Sequence, residues 1–128
     1  MMTSRSNNKV LGGSYEREVV KLLSQEGYWS HRLEENHKGA QPFDVIAVKG
    51  GVAFAIDCKT LDEKEKYFYI SRLEDNQVLA FEKWMACGNS EPMVFVKYCG
   101  ETYVIRYLEL KALGKIDMRY AEKYDETK

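Results

Sequence analysis

Two acidic residues and a lysine stand out by type and spacing: Asp44 in Pro42-Phe43-Asp44, then Asp57 and Lys59 in Asp57-Cys58-Lys59. Between them the chain reads as two strands, residues 43–49 and 52–58, rich in Val, Ile, Phe and Ala and joined by Gly50-Gly51. A Gly-Gly pair in that setting predicts a two-residue hairpin, because type I′ and II′ turns need positive φ. With these glycines as the loop, Lys49 pairs with Val52, and counting outward sets Asp44 directly opposite Asp57. Their Cβ atoms would lie roughly 5 Å apart. Like charges facing one another destabilise a hairpin, so a pair kept amid apolar residues is either wasteful or holds a cation. Lys59 shares their face through the period-2 pleat. The opposition depends on the register: a turn displaced from Gly50-Gly51 would separate the two acids.

A third carboxylate comes from upstream. Ser14 is placed to cap a helix running to Glu26, with Gly27 as the residue that ends it. Counted from Glu16, the apolar residues Val19, Val20 and Leu23 fall at i+3, i+4 and i+7, so Glu16 points along the buried stripe. An acid in a first turn is ordinarily there for the helix dipole; proximity to the hairpin would make it part of a site. Carboxylate oxygens in this number suit a hard divalent cation such as Mg²⁺, with Mn²⁺ as a substitute. Asp44 and Asp57 would be direct ligands and the Cys58 backbone carbonyl a third, with Glu16 completing the shell directly or through water. The chemistry that fits is metal-assisted hydrolysis of a phosphodiester, with Lys59 holding the attacking water. No organic cofactor is expected.

The elements that must position these groups follow in order. Residues 1–11 read as a flexible arm carrying Arg5 and Lys9. Tyr28–Leu33 is a short strand with Arg32 at its end, and a polar loop from Glu34 to Gln41 contains Lys38. After a charged loop, Leu61–Glu65, comes a third strand, Lys66–Ile70. Ser71 is placed to cap a helix with Leu73, Gln77, Ala80, Phe81 and Trp84 on one stripe, ending near Cys87-Gly88. A glutamine on such a stripe ordinarily satisfies a buried backbone group, and the aromatic residues read as core. Strands Met93–Tyr98 and Tyr103–Tyr107 are joined by a turn at Cys99-Gly100-Glu101-Thr102. A short helix, Leu108–Leu113, stops at Gly114, and residues 115–128 form a C-terminal extension with an edge strand through Tyr120. This order predicts an α/β architecture, a central mixed sheet flanked by helices, in one domain spanning residues 1–128.

Composition sets the bounds. The chain has 128 residues, 45% hydrophobic and 30% charged, as expected of one soluble globular domain. No apolar run reaches a membrane span, and the polar N-terminus lacks the apolar core of a signal peptide. No membrane partner is therefore expected, and three cysteines without Cys-x-x-Cys spacing point to unpaired thiols in a reducing, cytoplasmic setting. His31 and His37 lack metal-ligand spacing and read as ordinary polar residues. The formal charge of −1 means that any basic surface is local. Arg5, Lys9, Arg17, Arg32 and Lys38 are the candidates for phosphate contacts, from their placement near the site.

Pro42-Phe43-Asp44 followed by Asp57-Cys58-Lys59 resembles the PD-(D/E)XK nuclease signature, here with Asp as the second acid. Gly13-Ser14-Tyr15-Glu16-Arg17-Glu18-Val19, then Leu22-Leu23, Gly27-Tyr28 and Arg32, is similar to the opening helix, Gly-aromatic turn and strand-end Arg of archaeal Hjc-type Holliday junction resolvases. Gln77 is similar to the glutamine of RecU-type resolvases and VRR-NUC nucleases, which adds it to the nucleic-acid-facing candidates. The resemblance implies a restriction-endonuclease-like fold, a homodimer, and a four-way DNA junction cut on symmetric strands. Asp57 in place of the commoner Glu, a longer loop before Asp44 and a less basic chain are departures from that pattern. Two further readings remain at this level. One is a repair or restriction-type nuclease of the same fold acting on flaps, nicks or duplex. The other is a non-catalytic DNA-binding relative, against which the complete Glu16, Asp44, Asp57 and Lys59 set speaks.

Overall fold

The computed structural model describes residues 4–33 and 41–125, with side chains described from residue 13 onward. Helix α1 (Ser4–Gln25) is followed by strands β1 (Trp29–Arg32), β2 (Val45–Lys49), β3 (Val52–Leu61) and β4 (Tyr67–Tyr69). A short 3-10 turn (Ile70–Arg72), helix α2 (Asp75–Ala86), strands β5 (Met93–Tyr98) and β6 (Glu101–Arg106), helix α3 (Tyr107–Leu113), β7 (Lys115–Asp117) and β8 (Glu122–Lys123) complete the order. Six strands form a mixed sheet in the order β1-β2-β3-β5-β6-β8, and β4 pairs with β7 in a separate two-stranded sheet. The expected mixed sheet flanked by helices is thus present.

Tyr15, Val19 and Leu23 make the buried stripe of α1 and pack on Val45, Ala47, Ile56 and Phe95. The opposite face of the sheet, with Ala55, Leu61, Val94 and Val96, is covered by Phe81 of α2, by Tyr107 and Leu110 of α3, and by Phe68 and Ile116. Alternation along β3 therefore sends Ile56 towards α1 and Ala55, Asp57, Lys59 and Leu61 towards α2. Strands β3 and β5 are parallel, with Asp57 beside Val94 and Lys59 beside Val96. A parallel pair needs a crossover, and the segment from the end of β3 through α2 supplies it. That return lays the first turn of α2 over Asp57.

Several boundaries differ from the sequence-based expectations. Helix α1 starts at Ser4, so Ser14 lies inside it, and residues 4–11, expected as a flexible arm, are helical. A glycine costs a helix interior about 1 kcal/mol and does not forbid it, which is why Gly12-Gly13 fails to break this one. The stop at Gly27 is as expected: Gly27 N–H donates to the Ser24 carbonyl and Tyr28 N–H to that of Leu23, the two bonds of a Schellman end. Ser71 lies in the 3-10 turn, and Glu74 caps α2 instead. The hairpin after β5 closes over Cys99-Gly100 alone, both at positive φ, with Tyr98 paired to Glu101. The expected C-terminal edge strand is divided: β7 joins β4, and β8 joins β6.

Candidate active site

The hairpin register is the expected one through Lys49↔Val52 to Val45↔Ile56. Beyond it the expectation of directly opposed aspartates fails. Asp44 N–H donates to the Ile56 carbonyl at 3.0 Å, so Asp44 and Val45 face the same partner, as in a β-bulge. The ladder with β2 ends there, while β3 runs on to Leu61 beside β5. This leaves a notch along β3 where the Cys58 N–H would be an orphan. Asp44 fills it, with Oδ2 accepting from Cys58 N–H at 2.8 Å. Because N–H and C=O of one strand residue point the same way, the Cys58 carbonyl faces that notch too. The Cys58 side chain turns the other way, into the core against α1, and burial, reinforced by Asp44, Asp57 and Glu16, pushes its thiol pKa up.

Asp57 is fully buried. Its Oδ1 accepts from Gln77 Nε2 at 2.8 Å, and Lys59 Nζ stands 3.4 Å from Oδ2. Despite that ion pair, Oδ2 has no hydrogen-bond donor in proper geometry. Burial, and then the neighbouring Asp44 carboxylate, raise the Asp57 pKa to about 8, against the smaller opposing pull of Lys59. Gln77 is also buried. Its Oε1 accepts from Glu74 N–H at 3.0 Å and from Lys59 Nζ at 3.3 Å. With two donors on Oε1, the amide orientation is settled and Nε2 must face Asp57. Gln77 therefore does what a buried glutamine ordinarily does, closing the cap of α2, and in addition ties that helix to the acid and the lysine of β3. Its side chain is buried in the wall of the cleft.

Glu16 lines the same cleft of about 200 Å³ as Asp44, Lys59 and Gln77. It is ion-paired with Arg32, Nε to Oε1 at 3.2 Å. Arg17 and Arg32 converge over Gly13, where an added Cβ would meet their guanidinium nitrogens at 3.7 and 3.5 Å. Arg5 and Lys9 lie on the described backbone of α1, but their side chains, like all of Lys38, fall outside the described residues. Sequence reasoning missed three residues of the cleft wall, Gln41, Glu74 and Asn76. Gln41 Nε2 donates a short hydrogen bond to Asp44 Oδ1, and Asn76 Nδ2 holds the Gln41 carbonyl at 3.2 Å. Nothing in the local pattern marks Gln41; its place directly before Pro42-Phe43-Asp44 is the one available signal.

Among the described residues, no three acidic, histidine or cysteine side chains converge closely enough to hold a metal ion by themselves. Two of the three expected carboxylates, Asp44 and Asp57, do meet, and Glu16 is drawn towards Arg32. The donor set still fits a hard cation. Asp57 presents a buried oxygen lacking a donor, Asp44 is adjacent, and a backbone carbonyl faces the same notch; an ion that keeps several waters needs few protein ligands.

A mixed sheet between helices, with acid, acid-x-lysine on one face at the end of a hairpin, defines a PD-(D/E)XK nuclease-like fold. The family model of the archaeal Holliday junction resolvase Hjc matches residues 7–126, and the chain belongs to that family. It is 25% identical to the crossover junction endodeoxyribonuclease Hje of Sulfolobus acidocaldarius, over 87% of this chain and 78% of that one. With the crossover junction endodeoxyribonuclease Hjc of Methanocaldococcus jannaschii it shares 29% identity, over 81% and 71%. The structure of Archaeoglobus fulgidus Hjc, a Holliday junction resolvase, superposes with a TM-score of 0.67 at 22% identity, covering 88% of this chain and 95% of that one, and shows the shared fold. No helix among the described residues is long and apolar enough to cross a membrane.

Proposed function

We propose that the chain is a Mg²⁺-dependent endonuclease that resolves four-way DNA junctions as a homodimer, with Mn²⁺ able to replace Mg²⁺. The observation that carries this is the buried Asp57 carboxylate, with one oxygen lacking a donor, set between Asp44 and Lys59. Asp44, Asp57 and the Cys58 carbonyl would hold the ion, with Glu16 at its outer side. A bound divalent ion lowers the pKa of water and offsets charge developing on the phosphorus centre. The Lys59 ammonium is anchored by Gln77 Oε1 and Asp57, which leaves it able to hold and orient the attacking water. Gln77 acts as a positioning residue by fixing both groups from beneath. Arg17 and Arg32 flank the cleft and are suited to phosphates on either side of the scissile bond, and Arg5, Lys9 and Lys38 would extend that surface. A two-fold protein matches a symmetric junction and places one site on each of two opposed strands. The free thiols of Cys58, Cys87 and Cys99 suit a reducing intracellular setting.

The test incubates the protein with four-way junction, flap and linear duplex DNA, with Mg²⁺ or with chelator, alongside Asp57→Asn. Paired symmetric nicks should appear in the junction alone and be abolished by chelator and by the substitution. Cutting that survives Asp57→Asn would sink the site; equal cutting of linear duplex would sink junction selectivity.

A further inference from the structure

The outer face of the β4–β7 sheet carries none of the hydrolytic residues. Alternation sends Phe68 and Ile116 into the core and leaves Tyr67, Tyr69, Lys115 and Asp117 on the other face. The rings of Tyr67 and Tyr69 stand 6.1 Å apart, and Tyr69 is 45% exposed. Lys115 Nζ lies 4.4 Å from the Tyr67 ring centroid and 5.9 Å from that of Tyr69, so Tyr69 has the more open ring. Asp117 is neutralised by Arg119 through Nε at 3.1 Å and Nη2 at 2.7 Å.

Between this face and the end of β3 lies a cavity of about 460 Å³, within the range of small-ligand sites. Arg72 stands at its rim. One of its nitrogens, Nη2, donates to the Thr60 carbonyl at 2.9 Å, and Thr60 directly follows Lys59. The guanidinium is thus held one residue beyond the lysine of the hydrolytic site and lies 5.5 Å from the Phe68 ring centroid, with no other hydrogen bond among the described residues; such an anchored fork is preorganised for phosphate. Asp62 and Glu65 also line the cavity. They would repel a phosphate inside it but can accept hydrogen bonds from the amino groups of a base. The charges therefore favour sugar-phosphate at the Arg72 rim and a base within.

We infer that this cavity takes a nucleotide of the substrate strand next to the one being cut, its base stacked on Tyr69 and its phosphate on Arg72. The inference rests on the nuclease reading above. In a continuous duplex each base face is covered by its neighbour, whereas the bases at a branch point lose that cover when the arms unstack, so the cavity favours branched DNA over linear. Base-aromatic stacking is sequence-tolerant, so the selection is for shape and not for sequence.

Binding is measured in an Asp57→Asn background, so that no substrate is cut, using a four-way junction with a fluorescent aminopurine beside the branch point. Tyr69→Ala should weaken junction binding about tenfold, abolish the fluorescence change on binding, and leave linear duplex affinity within about twofold; Tyr69→Phe should restore both. In the cutting protein, Tyr69→Ala and Arg72→Gln should raise KM with kcat nearly unchanged, which separates contact with substrate from displacement of Lys59. Unchanged junction affinity and fluorescence, or equal loss on linear duplex, would overturn the inference while junction cutting by the unsubstituted protein still upheld the nuclease reading. An unsubstituted protein that cuts no DNA would fail that reading instead.

Discussion

Asp57 is the residue on which most of the local physics converges. Its carboxyl, raised to about 8 by burial and by Asp44, titrates at about 4 in an unfolded chain. Between those values the folded state retains a proton that the unfolded state has lost. The associated stability is complete below about pH 4 and is lost as pH rises through about 8. In metal-free protein, Asp57→Asn should therefore raise the unfolding free energy at about pH 8. It should also flatten the dependence of Tm between about pH 5 and about pH 8, while eliminating cutting. Thermal melts of both proteins across that range check the sign, and a steeper slope in the variant would refute it. Gln77 acts through its neighbours. Gln77→Ala should lower kcat about 10- to 100-fold, the usual effect of losing a group that orients a ligand, with KM changed much less. It should also cost about 1 kcal/mol through the α2 cap. Steady-state kinetics with a denaturant titration separates the two effects.

At the scale of elements, the hairpin and the first turn of α2 carry the site. Gly50 and Gly51 both have positive φ, +60° and +78°, as the tight turn demands. Gly51→Ala meets open space, so its penalty is conformational, about 1 kcal/mol. It should lower Tm by a few degrees and leave kcat near normal if the register holds; a large loss of kcat would mean that the turn controls the acids more tightly than the ladder does. The bulge at Asp44 has the opposite character. It comes from β2 ending while β3 continues, so that an orphan N–H at Cys58 recruits the Asp44 carboxylate.

For the whole molecule, a formal charge of −1 means that DNA must be held by a local surface and not by the general field of the protein. Arg17 is exposed and stands beside the Glu16–Arg32 pair. Arg17→Ala should weaken binding to junction and duplex alike and reduce the slope of log Kd against log salt by about 1. Binding titrations at several salt concentrations measure it; an unchanged slope would remove Arg17 from the phosphate-contacting set.

The mixed sheet with its helices, the Gly50-Gly51 register out to Val45↔Ile56, the end of α1 at Gly27 and the face shared by Asp57 and Lys59 were all legible in the sequence. These follow from short-range rules: turn chemistry, strand alternation and helix-ending glycine act within a few residues. The bulge at Asp44, the cap of α2 at Glu74 and not Ser71, and the link that Gln77 makes from that cap to the acid and the lysine came from the packing of segments distant in the chain. The same packing brought Gln41 to Asp44 and Asn76 to the Gln41 carbonyl. Each of these depends on which backbone groups are left unpaired when β3 outlasts β2 and α2 crosses back over the sheet, and an unpaired group takes its partner from whatever lies near it in space.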